Sequence, residues 1–119
     1  MAAKSTFDLE KARRFLLLRE QNRKNFLEAK RQEVLQKTIL ALKEFFKDSR
    51  VEVYLVGSIL KPYHFTQRSD IDIVTKNFRG DRFELWSQLE DICGREIDLI
   101  IFEKCNFQEY VLQYAYKVQ

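Results

Sequence analysis

The chain has 119 residues, 45% of them hydrophobic and 33% charged, with a formal net charge of +3. That length builds one compact domain and excludes a second large lobe. No apolar run is long enough to span a bilayer, and the N-terminus opens on charged and polar residues rather than an apolar signal core, so a cytoplasmic protein without membrane contact is expected.

The two cysteines, Cys93 and Cys105, form no metal-type CxxC pair, and His64 is the only histidine. A zinc site therefore lacks ligands, and free thiols are expected. Charge is unevenly spread. Residues 1–50 carry 13 Lys/Arg against 7 Asp/Glu, and the remainder 8 against 11. The basic N-terminal part reads as solvated helix surface in preference to a nucleic-acid interface.

From about Phe7 to Phe46 there is no glycine or proline, and Leu, Glu, Lys, Arg, Gln and Ala dominate. These are good helix formers. Ser5 and Thr6 are candidate N-caps, with Asp8 and Glu10 in the first turn. The second half is amphipathic: Val34, Leu35, Thr38, Ile39, Leu42, Phe45 and Phe46 follow helical spacing. The first half has its own apolar cluster at Phe15, Leu16, Leu17 and Leu18. Either one long helix runs through, or two helices meet near Asn22–Asn25. On composition, residues 1–33 form a basic helical extension and residues 34–119 the domain proper.

Val51–Val56 reads as a buried strand ending at Gly57-Ser58. A short irregular or helical piece with Pro62 follows. Arg68–Thr75 is the second strand, and Asn77–Asp81 a turn with Gly80. Arg82–Cys93 is a helix stopped by Gly94. Glu96–Phe102 is the third strand and Phe107–Val118 a terminal helix. The order predicts an α+β fold, a small mixed sheet flanked by helices.

The chemistry-bearing residues sit in two of these strands. Asp70 and Asp72, at i and i+2, point to one face. Asp98 lies in another apolar run, Ile97-Asp98-Leu99-Ile100-Ile101. Acids embedded in apolar strands cost stability unless used. If the third strand lies beside the second, Asp98 completes a carboxylate cluster suited to Mg²⁺ and phosphoryl transfer. Asp98 is also the candidate general base. Gly57 lets the backbone approach a phosphate closely, and Ser58 offers a hydroxyl and an amide beside it. Lys61, Arg68 or Arg95 could hold a triphosphate electrostatically. Spacing alone does not select among them. His64 reads as a loop residue.

Gly57-Ser58, then Ser69-Asp70-Ile71-Asp72-Ile73, then Asp98 in an apolar strand, resembles the DNA polymerase beta-type nucleotidyltransferase superfamily, and the short chain resembles its minimal members. The resemblance covers roughly residues 34–105. It implies a mixed sheet flanked by helices, two Mg²⁺ ions and a nucleoside triphosphate, ATP. Asp70 and Asp72 would be metal ligands, Asp98 the third acid, and Gly57, Ser58 and Ser69 part of the phosphate-binding region. The eleven-residue spacer between Ser58 and Asp70 lacks the small-residue, Arg and Gly pattern that often follows Gly-Ser in minimal members. Such members often serve as antitoxins paired with a HEPN-domain RNase toxin, and some transfer AMP onto a tyrosine of that toxin. The exposed apolar patches of the N-terminal helix would serve that partner or a second copy of the chain. The alternatives are a degenerate fold that neutralises its partner by occlusion, and nucleotidyl transfer to RNA or a small molecule.

Overall fold

A computed structural model describes residues 8–119. The candidate caps Ser5 and Thr6 lie outside the described residues. One unbroken helix, α1, runs from Leu9 to Phe46, so the sequence that allowed a break near Asn22–Asn25 has none. Asp8 stands as N-cap rather than in the first turn, its side chain accepting from the Glu10 and Lys11 amides at 3.0 and 3.1 Å. A helix of this length extends about 57 Å at 1.5 Å per residue, and the molecule measures 76 Å along its longest axis. Only the C-terminal half of α1 packs on the domain, through Thr38, Ile39, Leu42 and Phe46. Leu9, Phe15, Leu16, Leu17, Leu18 and Phe26 are exposed.

Strand β1 spans Glu52–Val56 and β2 spans Ile71–Lys76. Helix α2 follows at Arg82–Cys93, capped by Asp81 and closed by Gly94 in the left-handed conformation. Strand β3 is Ile97–Ile101, helix α3 is Gln108–Tyr114, and β4 is Tyr116–Lys117. The mixed sheet has the order β3-β2-β1-β4. β1 runs antiparallel to both neighbours, while β2 and β3 are parallel and joined through α2. This is the expected α+β architecture.

Two elements differ from expectation. β2 begins at Ile71, because Thr66–Ser69 close a turn in front of it. The expected terminal helix stops at Tyr114, and the chain then extends to form the edge strand β4. Val118 N donates to the Val53 carbonyl at 2.8 Å, and the Gln119 side chain donates to the carbonyls of Phe46, Ser49 and Val51. Pairing with β1 satisfies backbone groups that would otherwise stay open at the sheet edge.

Strand alternation divides the core. Val53, Leu55, Ile71, Ile73, Ile97 and Leu99 face α1 and α2. Tyr54, Val56 and Val74 face the other way, packed with Val111 of α3 and with Phe102 of the 3-10 turn that follows β3. This second face is thinly covered, and its uncovered end is where the acids lie.

Candidate functional site

The parallel register pairs Asp72 directly with Asp98. Neighbouring strands are about 4.8 Å apart, so the two carboxylates stand side by side on the second face. Their local causes differ. Asp72 is held in a central strand between Val56 of β1 and Asp98 of β3. Asp98 is placed by α2, whose side chains pin the preceding residue. Ile97 N donates to Glu90 Oε2 at 3.2 Å, and Trp86 Nε1 donates to the Ile97 carbonyl at 3.0 Å. Asp70 is exposed and lies one residue before β2.

Asp72 is half-buried, and that burial pushes its carboxyl above the ordinary aspartate value. The like charges of Asp98 and Asp70 raise it further. The three acids thus form one electrostatic unit, with Asp72 at its centre. Among the described residues, no three acidic, cysteine or histidine side chains are gathered tightly enough to hold one ion together. The expected three-carboxylate cluster is therefore looser than its sequence pattern implied: a register pair with a third acid at its side. That still suits Mg²⁺, which is held by one or two carboxylates plus substrate phosphates.

Gly57 adjoins this pair. Its φ of 87° and ψ of −156° belong to a region that only glycine occupies readily. A Cβ there would collide with the Asp72 carboxylate, lying 3.2 Å from Cγ and closer still to Oδ2. The missing side chain is what lets the β1 turn approach the acid. Ser58 opens a three-residue 3-10 turn, Ser58–Leu60, and is half-buried. A turn this short lacks the aligned amides of a helix N-terminus, so the expected anion site there reduces to the turn itself.

The remaining candidates divide. Lys61 and Arg68 are exposed. Ser69 is engaged elsewhere: its Oγ accepts from the Thr66 amide at 3.0 Å and lies 3.2 Å from Thr66 Oγ1. It staples the turn that precedes Asp70. Arg95 is likewise engaged, donating to the Gln67 carbonyl at 2.8 Å and stacking on Phe65. It braces the same turn. A cavity of about 320 Å³ beside these residues is lined by Arg68, Asp70, Arg95 and Glu96. A second cavity of about 420 Å³ lies between α1, the 65–67 segment and the end of α2, and none of the three acids lines it.

Two side chains that sequence reasoning passed over reach this region from α1. Arg31 is buried and donates from Nη1 to the Ile59 carbonyl at 2.7 Å. It also forks onto Glu28, Nε to Oε1 at 2.8 Å and Nη2 to Oε2 at 2.6 Å. Their i,i+3 spacing was visible, but in a helix this rich in charge it marks nothing by itself. The half-buried Cys93 thiol is pushed up to about 11 by burial, as expected of an inert free cysteine.

A family model described as polymerase beta, nucleotidyltransferase matches residues 40–116. No curated protein and no solved structure matches the chain. No helix among the described residues is long and apolar enough to cross a membrane.

Proposed function

The chain belongs to the polymerase beta nucleotidyltransferase family, and on that premise we propose that it moves AMP from ATP onto a protein partner, as an antitoxin silencing a HEPN-domain RNase toxin. The transfer chemistry is supported by one observation above the others: Asp72 and Asp98 side by side on an open sheet face, with Gly57 against Asp72. In this reading Asp70 and Asp72 are the ligands for two Mg²⁺ ions, with Asp98 as the third acid. When bound, the metal neutralises the triphosphate and aligns attacking and leaving oxygens.

The chain's own residues carry the remaining roles. Asp98, the exposed member of the pair, takes the proton from the acceptor hydroxyl. The acceptor oxygen bonds to the α-phosphorus, the α–β bridge breaks, and pyrophosphate leaves. Gly57 admits phosphate oxygens close to the backbone, and Ser58 contributes its hydroxyl. Lys61 and Arg68 are the exposed cations flanking the turn and the acids, and they attract the polyanion. The apolar side chains exposed along the N-terminal half of α1, Phe15 to Leu18 and Phe26, support a protein acceptor, because a patch of this kind suits contact with another protein.

A second reading, neutralisation by occlusion without transfer, is favoured by the engagement of Ser69 and Arg95 within the turn. One experiment separates the two. The full chain is incubated with α-labelled ATP, Mg²⁺ and a candidate HEPN-domain RNase partner. Label on the RNase that disappears in the Asp70→Asn, Asp72→Asn double variant supports transfer. Absence of label, or label that persists in that variant, refutes it. Neutralisation that survives the double change supports occlusion.

A further inference from the structure

The loop from Gly57 to His64 is short of backbone partners of its own. Within it, Leu60 N bonds the Gly57 carbonyl, Lys61 N the Ser58 carbonyl and His64 N the Lys61 carbonyl. Tyr63 sits in the left-handed region at φ 67°, unusual for a residue with a side chain. Two backbone groups turn towards α1, and side chains of α1 satisfy both. The Ile59 carbonyl accepts from Arg31 Nη1, and the Tyr63 amide donates to Glu28 Oε1 at 2.8 Å.

Arg31 and Glu28 hold each other in a two-bond fork, and Gln32 Nε2 adds a bond to Glu28 Oε2 at 3.2 Å. Their side chains are only 8% and 13% exposed. A buried ion pair is a poor way to gain stability, because desolvation offsets most of the attraction. It is an effective way to fix geometry, since a planar fork tolerates little displacement. Arg31 continues the buried stripe that packs α1 on the sheet, Thr38, Ile39, Leu42 and Phe46, towards the loop. What the pair fixes is the far side of the loop whose first residue, Gly57, approaches Asp72.

We propose that Arg31 and Glu28 are positioning residues for nucleotide binding. They set the Gly57–Tyr63 loop at the distance from Asp72 that the triphosphate requires. Both lie upstream of the matched residues 40–116, so α1 supplies part of the site from outside the family segment. The inference rests on the nucleotidyltransferase reading.

The test uses the full chain and its Arg31→Met, Arg31→Lys and Glu28→Gln variants. Mg-ATP affinity is read by calorimetry, Mg²⁺ affinity without nucleotide by thermal shift, and loop order by hydrogen exchange at the Tyr63 amide. In Arg31→Met, Tyr63 exchange accelerates, Mg-ATP affinity falls by about tenfold to a hundredfold, and the Mg²⁺ response without nucleotide stays at the wild-type level. Arg31→Lys keeps the charge and one donor but not the fork, and it recovers part of the affinity. A merely structural role would move the melting temperature without separating these two affinities. Wild-type Mg-ATP affinity in Arg31→Met overturns the proposal. Should that variant fail to fold, unchanged affinity in both Arg31→Lys and Glu28→Gln overturns it instead. A wild-type chain that binds no Mg-ATP overturns the functional reading itself, and that outcome is recognised before any variant is made.

Discussion

Replacing Asp72 by asparagine should make the metal-free protein more stable while removing its response to Mg²⁺. Asp72 and Asp98 are register partners on adjacent parallel strands, about 4.8 Å apart. Two unit charges at that separation repel by about 1 kcal/mol in water and about 3 kcal/mol at the effective dielectric of a half-buried site. Asparagine keeps the shape and removes one charge, so a gain of about 1 kcal/mol or more is expected at neutral pH and low salt, or about 4 °C in melting temperature. The pH dependence has a definite sign. Burial and the neighbouring carboxylates raise the folded-state value of Asp72 above the ordinary aspartate value. The folded protein therefore holds that proton more tightly, and wild-type stability falls as pH rises through this range. The variant escapes that loss, so the two proteins differ least below the ordinary aspartate range and most near neutrality. Mg²⁺ at tenfold over its dissociation constant should stabilise the wild type by about 1.4 kcal/mol and leave the variant unchanged. Melting curves with and without Mg²⁺ from acid to neutral pH provide the measurement. An Asp72→Asn protein that melts at or below the wild type near neutrality, or a difference that ignores pH, would show that the carboxylates do not face each other.

Gly57→Ala should lose about 1–3 kcal/mol from the backbone region alone, and Mg²⁺ affinity with it, because the new methyl displaces the Asp72 carboxylate; unchanged melting and metal response would remove Gly57 from the site. Gln119→Ala should cost about 1–3 kcal/mol, since one side-chain amide serves three carbonyls at the end of α1 and the start of β1; denaturant unfolding checks it. Leu42→Ala, at a fully buried position, should cost about 3–5 kcal/mol. Leu16→Ser, on the exposed half of α1, should stay within about 0.5 kcal/mol of the wild type, and a larger loss would mean that this half packs on the domain. Cys93 should resist alkylation at neutral pH under native conditions, its thiol being held protonated by burial; rapid modification would contradict its buried setting.

The legible parts of this protein were those with a local cause. The helix over 82–93 was bounded by Gly94 because only a residue at ease with a positive φ ends it there. Asp72 and Asp98 lie within apolar strands as their sequence runs indicate, whereas Asp70 falls one residue before β2. The backbone partners of Ser69 and Arg95 were not legible, for a matching reason. A hydroxyl next to an acid and a guanidinium near a strand look alike in sequence whether they meet phosphate or their own backbone. Only the folded turn supplies their backbone partners, the Thr66 amide for Ser69 and the Gln67 carbonyl for Arg95. The terminal strand β4 was hidden because Tyr116 and Lys117 carry no strand pattern of their own, and their conformation comes from pairing with β1.

What the sequence determined alone was the inventory: a long helix without a breaker, three apolar strands, a Gly-Ser turn and three embedded acids. What tertiary structure decided was which of these meet. The register placing Asp72 beside Asp98, the approach of Gly57 to Asp72, and the reach of Arg31 to Ile59 across 28 positions all join residues far apart in the chain. Periodicity and propensity act over a few residues, whereas strand pairing and helix docking are settled by burial of the whole apolar surface. Two residues therefore become a site only once the core has chosen its register.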